Sequence, residues 1–206
     1  MSVAPKAPQT EAFLKSEGDA WYERNKDKPK IDSVTPSILA LELHPADIVE
    51  FGCGTGWRLD NLHQLFPDAH CLGIDPSTKA IDQARQQFSK PRVEFMIGTV
   101  DFPKLHAADL IIYGFCLYLV DRSLLQRVVL EGDAMLREGG HIIIHDFDPK
   151  KPHKVPYKHL PGLYSYKMNY AKLWLANPAY ELVDKSKPTT ETAVWALRKD
   201  TDKGWP

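Results

Sequence analysis

The chain has 206 residues, 43% hydrophobic and 26% charged, with a formal net charge of −1 at pH 7. That size and balance set one globular domain with a sizeable core and exclude a disordered chain. Near-neutral charge argues against nucleic-acid binding over a broad surface, and no run reaches the ~18 apolar residues of a membrane span.

Residues 1–10 are Pro/Ala-rich without an apolar core, so they read as a flexible tail and not as a signal peptide. Cys53, Cys71 and Cys116 show no CxxC spacing and read as reduced buried thiols, so a cytoplasmic protein is expected. Residues 11–33 form an N-terminal helical cap, in which 11–26 is amphipathic with Phe13, Leu14, Trp21 and Tyr22 apolar. Thr35-Pro36 starts a helix through Leu41, with proline in the first turn. Strands follow at 47–51, 70–74, 92–97, 109–113 and 141–145, with helices at 56–66, 77–89 and 121–137 between them. Gly139-Gly140 stops the last of these helices. Alternation of this kind gives a parallel sheet with helices on both faces. Residues 181–184 and 192–197 read as a reversed hairpin on the sheet edge.

The first strand runs into Gly52-Cys53-Gly54-Thr55-Gly56-Trp57, a tight turn whose glycines permit positive φ and let a ligand touch bare backbone. Asp75 closes the second strand 23 residues after Gly52, where a βαβ unit places a carboxylate for ribose hydroxyls. The dinucleotide pattern G-x-G-x-x-G would need a third glycine at position 57, which is Trp57. The pattern present is G-x-G-x-G preceded by Glu50. It resembles motif I of class I S-adenosylmethionine (SAM) methyltransferases. Leu136-Arg137-Glu138-Gly139-Gly140 likewise resembles the turn that precedes strand five in that family. The resemblance covers about residues 34–199. It implies an α/β Rossmann-like fold over 34–206, with a mostly parallel seven-stranded sheet and an antiparallel C-terminal hairpin. SAM fits the chemistry: it has no phosphates and carries an ammonium, a carboxylate and a sulfonium.

The resemblance also implies roles. Gly52, Cys53, Gly54 and Gly56 line the methionine and ribose, Glu50 sits near the methionine amino group, and Asp75 accepts from the ribose. Pro76 and Ser77 lie near the adenine. Relatives have Gly-Asp-Ala after strand three, whereas this chain has Gly98-Thr99-Val100-Asp101. Thr99 takes the acid's place, so either Asp101 or backbone at Val100 serves the ring. After strand four, Tyr113 or Phe115 faces the cofactor, and Phe115 and Tyr118 open towards the acceptor. His145 and Asp146, at the end of strand five, are candidate general bases for a hydroxyl acceptor. Cation-dependent members carry an Asp after strand four and an Asp-Asn pair after strand five. Neither is present, so no metal is expected.

Trp21, Tyr22, Arg24 and Asn25 are similar to a W-Y-x-R-N run in methylases associated with bacterial pseudaminic-acid and surface-sugar pathways. They are candidates to cover the cofactor, with Arg24 near its carboxylate. Asn177-Pro178-Ala179-Tyr180 resembles the N-P-P-Y motif of amino-methylating enzymes but lies after strand five, so it reads as a helix stop and turn. Residues 147–172 carry six lysines against Asp148 and read as a substrate lid. Lys154 and Lys158, flanking Pro156-Tyr157, are placed to meet a phosphate or carboxylate on a small acceptor. The functional expectation is methyl transfer from SAM to a small anionic molecule. A peptide, protein or RNA methylase and a noncatalytic SAM-binding regulator or partner subunit are the alternatives. No membrane partner is expected, and the sequence carries no signal for an oligomeric state.

Overall fold

A computed structural model describes residues 7–101 and 107–202. The chain opens with α1 (Pro8–Ala12), a π-turn (Phe13–Glu17) and α2 (Gly18–Asn25), which run on as one helical segment. Then come α3 (Thr35–Ala40), β1 (Asp47–Phe51), α4 (Trp57–Leu65), β2 (His70–Asp75), α5 (Thr78–Gln87), β3 (Val93–Ile97) and β4 (Ala108–Gly114). The second half holds α6 (Leu125–Met135), β5 (Leu136–Phe147), β6 (His153–Pro156), β7 (Tyr164–Lys167), α7 (Ala171–Leu175), β8 (Tyr180–Ser186) and β9 (Thr192–Lys199).

Seven strands form one sheet in the order β3-β2-β1-β4-β5-β9-β8. The first five are parallel, and β9 and β8 are antiparallel, as the sequence predicts. The parallel strands read as near-continuous apolar runs because helices cover both faces. Ile48, Leu110, Ile112 and Ile143 pack beneath the α4 and α5 side, with Leu59, Leu62, Ile81 and Ala84. Val49, Phe51, Ile111, Ile142 and Ile144 pack on the other face with Val128 of α6 and Trp174 of α7. Each fully buried Ile, Leu or Val contributes roughly 1.5–3 kcal/mol.

Strand register builds the functional edge. Ile74, Phe51, Tyr113 and Ile144 pair in one row across four strands. One residue further along each strand come Asp75, Gly52, Gly114 and His145. The carboxyl ends of these strands therefore bring together residues from four separate parts of the chain, at the edge where open α/β sheets bind ligands.

Three boundaries differ from the sequence reading. Helix begins at Pro8, so the expected tail does not extend to residue 10: Gln9 is buried, and its Nε2 bonds the Leu119 carbonyl. β5 is longer than expected, because Leu136 already pairs with Ala108. The presumed lid contains a two-stranded sheet, β6–β7, which its proline and lysine content concealed.

Candidate functional site

The turn after β1 is built by conformation and by close packing. Gly52, Gly54 and Gly56 have φ of 74°, 54° and 75°, a region that L side chains rarely adopt. A Cβ on Gly52 would lie 2.8 Å from Cys116 Cβ, and one on Gly56 would lie 2.3 Å from the Phe95 ring. A Cβ on Gly54 would meet nothing within 4 Å among the described residues. Two glycines are thus required by their neighbours, while the middle one faces open space. Gly52 N donates to the Ile74 carbonyl at 2.8 Å, tying the turn to β2.

Asp75 braces the turn from the far side. Its Oδ2 accepts from Gly54 N at 2.9 Å, and its Oδ1 accepts from Ser77 N at 2.9 Å. Burial pushes the carboxyl up to about 6, and the two amides oppose that shift. Each oxygen keeps a lone pair for a further donor.

Glu50 lies one residue before the end of β1 and is 1% exposed. Its Oε1 pairs with Arg58 Nη1, and its Oε2 is buried with no hydrogen-bond partner among the described residues. Burial raises the Glu50 carboxyl and the Arg58 charge opposes it. Arg58 also reaches Asp32 Oδ1 at 3.3 Å. Sequence reading missed both Arg58 and Asp32. Their only signal was polarity in the first turn of α4 and in the loop before α3.

These groups line one cleft with two lobes. The first has a free volume of about 740 Å³, open to solvent, and is walled by Phe13, Trp21, Pro76, Thr99, Val100 and Cys116. The second, about 1470 Å³ and also open, contains Glu50, Gly54, Arg58, Asn25 and His145. Trp21, Gly52, Asp75, Gly114 and Phe115 line both. Lys26, Lys28 and Lys30 line the second lobe.

Phe115 is a non-glycine residue with φ of 58°, held by its N–H donating to the His145 carbonyl at 2.9 Å. Its ring lies 5.0 Å from Tyr118, 5.0 Å from Phe147 and 5.3 Å from His145. Burial, with the Arg58 charge second, brings His145 down to about 4, so the imidazole is neutral at pH 7. Asp146 is fully buried, and Tyr118 N and Phe147 N donate to it at 3.2 and 2.7 Å. It shapes the turn and does not reach the cleft. Burial raises it to about 7.

Several expected residues are engaged elsewhere. Tyr113 is wholly buried, stacked 5.3 Å from Phe51, and faces α7 rather than the cleft. Ser77 caps α5 by accepting from Ala80 N at 3.1 Å and donates to Asp19 at 2.7 Å, which leaves Pro76 to line the lobe. Asp101 accepts from Thr99 Oγ1 at 2.6 Å and does not line the cleft, whereas Thr99 and Val100 do. Arg24 turns away from the cleft to Glu17 and the Tyr157 hydroxyl, because buried Glu17 needs a counter-charge. Tyr22 bonds Gln83 through its hydroxyl and still lines the cleft, as do Trp21 and Asn25. Lys154 sits over the Tyr164 ring at 4.2 Å, and Lys158 is exposed. Neither lines the cleft. The residue between them that turns inward is Tyr157, packed on Phe13.

Three features test the fit to SAM: bare backbone facing open space at Gly54, spare carboxylate lone pairs at Asp75, and an unpartnered buried oxygen on Glu50. They suit a ribose and an ammonium and provide no phosphate cradle. A family described as "Methyltransferase domain" matches residues 48–140, which span this edge. Over residues 48–140 the chain is therefore similar to methyltransferase domains, in agreement with the class its motifs resemble. A malonyl-[acyl-carrier protein] O-methyltransferase of Anoxybacillus flavithermus is 27% identical over 99 residues, covering 47% of this chain and 38% of that protein. A tRNA N(3)-methylcytidine methyltransferase of Drosophila melanogaster is 30% identical over 115 residues, covering 51% of this chain and 35% of that protein. The chain thus spans little more than a third of the curated relatives it matches. The structure of a Burkholderia thailandensis 1,6-didemethyltoxoflavin-N1-methyltransferase, with S-adenosylhomocysteine bound, superposes with a TM-score of 0.76 at 18% identity. The match covers 97% of this chain and 93% of that one. Among the described residues no helix is long and apolar enough to cross a membrane.

Proposed function

We propose that the protein transfers the methyl group of SAM to a small acceptor carrying a carboxylate or phosphate. The observation that supports this best is the open backbone at Gly54, flanked by Asp75 and the unpartnered Glu50 oxygen at one cleft wall. When bound, SAM supplies an electrophilic methyl on a sulfonium. Asp75 accepts from ribose hydroxyls, and backbone at Thr99 and Val100 borders the adenine. Trp21 and Phe115 line both lobes and exclude water. Holding the acceptor atom in line supplies most of the rate. His145, neutral and in the second lobe, orients the acceptor or takes its proton as a weak base. Lys26, Lys28 and Lys30 favour an anionic acceptor, as do the carrier-bound malonyl substrates named for the relatives. The test is incubation of the full chain with methyl-labelled SAM and separate metabolite, protein and RNA fractions. Label in an anionic metabolite, absent with Asp75→Ala, supports the reading. Label confined to protein or RNA overturns the acceptor class, and SAM binding without any labelled product indicates a noncatalytic binder.

A further inference from the structure

Arg58 occupies an unusual place for a helix arginine. It lies in the first turn of α4, where the helix N-terminus disfavours cations, and it is only 7% exposed. Room for it is made deliberately: a Cβ on Gly114 would fall 2.8 Å from Glu50 Oε1 and 2.9 Å from Arg58 Nη1. Asp32 anchors the other side of the guanidinium at 3.3 Å and is itself fixed by accepting from Val34 N at 3.0 Å and Thr35 N at 3.1 Å. The chain thus holds a buried Asp32–Arg58–Glu50 array ending in one unpartnered oxygen, Glu50 Oε2.

We infer that Arg58 is a positioning residue that keeps Glu50 ionised and holds its free oxygen towards the ammonium of the SAM methionine moiety. The inference rests on the reading that this cleft takes SAM. Removing one partner of a buried pair leaves the other charge uncompensated, and a buried carboxylate then takes up a proton instead. A neutral Glu50 offers the ammonium no counter-charge. Two further titratable groups face this array: Asp75 across the turn, and His145 from β5, which is neutral at pH 7. Cys53, near Glu50, is pushed up by burial and stays a thiol.

The test compares two probes in the full chain by calorimetry. S-adenosylhomocysteine carries the ammonium, whereas 5′-methylthioadenosine has the same adenosine and no amino-acid tail. Arg58→Met should weaken S-adenosylhomocysteine by tenfold or more at pH 6.5 and leave 5′-methylthioadenosine within about twofold. The ratio of the two affinities should recover as pH rises to 8.5 and Glu50 ionises unaided. Asp75 touches both probes through the ribose, so its titration cancels in that ratio. Arg58→Lys should restore most of the lost affinity, since it restores the charge. An equal loss of both probes, a pH-independent ratio, or no rescue by lysine overturns the inference while leaving the SAM reading intact. Failure of the unmodified chain to bind either probe overturns both.

Discussion

At the residue scale, two glycines and one acid separate binding from folding. Asp75 accepts from two backbone amides and keeps lone pairs for a further donor, and with the proposed ribose as that donor Asp75→Ala is expected to weaken SAM by about 1.5–3 kcal/mol. Because burial places Asp75 near 6, its carboxylate is lost below that pH. SAM affinity should therefore rise from pH 5 to pH 7, and Asp75→Asn should flatten the rise. Calorimetry across that range reads both, and an unchanged affinity in the alanine variant removes the ribose assignment. Gly54→Val and Gly56→Ala should fail differently. The first puts a side chain into open space at the cost of roughly 1 kcal/mol of backbone strain, so native circular dichroism should accompany loss of SAM binding. The second collides with the Phe95 ring and should lower thermal stability. These positions were legible in the sequence because turn chemistry is local. Glu50 stood out in the sequence as the acid before the glycine turn, but its partner Arg58 did not, since nothing in a linear pattern shows which helix residue a neighbouring strand has left room for.

At the element scale, the N-terminal segment is the keystone of a cap. Gln9 and Thr10 donate their backbone amides to Asp121 after β4, and Gln9 Oε1 accepts from Tyr164 N of β7 at 2.7 Å. Further along, Glu17 accepts from the Tyr157 hydroxyl at 2.9 Å and pairs with Arg24. Gly18 packs so closely on the turn after β2 that a Cβ would lie 3.1 Å from Pro76 C and Ser77 N. Trp21 packs with Phe13 and Tyr157, and the neighbouring Tyr118 ring lies 5.0 Å from Phe115 in the aromatic cluster at the cleft. One helical segment thus touches β7, the turn after β2 and the segment after β4, with a π-turn at its centre. Removing residues 1–10 is therefore expected to cost stability and to speed SAM release, although composition alone made that stretch look dispensable. Melting curves and dissociation kinetics of the truncated chain check this, and native values for both would make the Gln9 contacts incidental. Sequence patterning found the helix but misdirected Arg24, because the choice between the cleft and Glu17 depends on a buried acid one and a half to two turns earlier and a tyrosine 133 residues away.

At the scale of the whole molecule, the sheet order was legible because the alternation of apolar strands and helices admits few topologies. Electrostatics were not. The chain is almost neutral, so any attraction for an anion must be local, and counting lysines along the sequence pointed to 147–172. The fold instead turns Lys154 onto Tyr164 and leaves Lys158 in solvent, while Lys26, Lys28 and Lys30, from the segment after α2, line the cleft. Lys26 pairs with Glu23, and Lys28 donates to Asn25. The two lysine sets make opposite predictions for an anionic acceptor. Lys28→Gln with Lys30→Gln should raise the acceptor KM several-fold. Lys154→Gln with Lys158→Gln should leave it unchanged. Exposed charges are screened within about 8–10 Å near physiological salt, so the acceptor KM of the unmodified chain should climb with ionic strength. The slope of that climb should shrink in the Lys28/Lys30 variant only, with SAM affinity constant throughout. A fall in SAM affinity at constant acceptor KM would reassign these lysines to the cofactor carboxylate. A salt-independent KM would remove the anionic acceptor altogether.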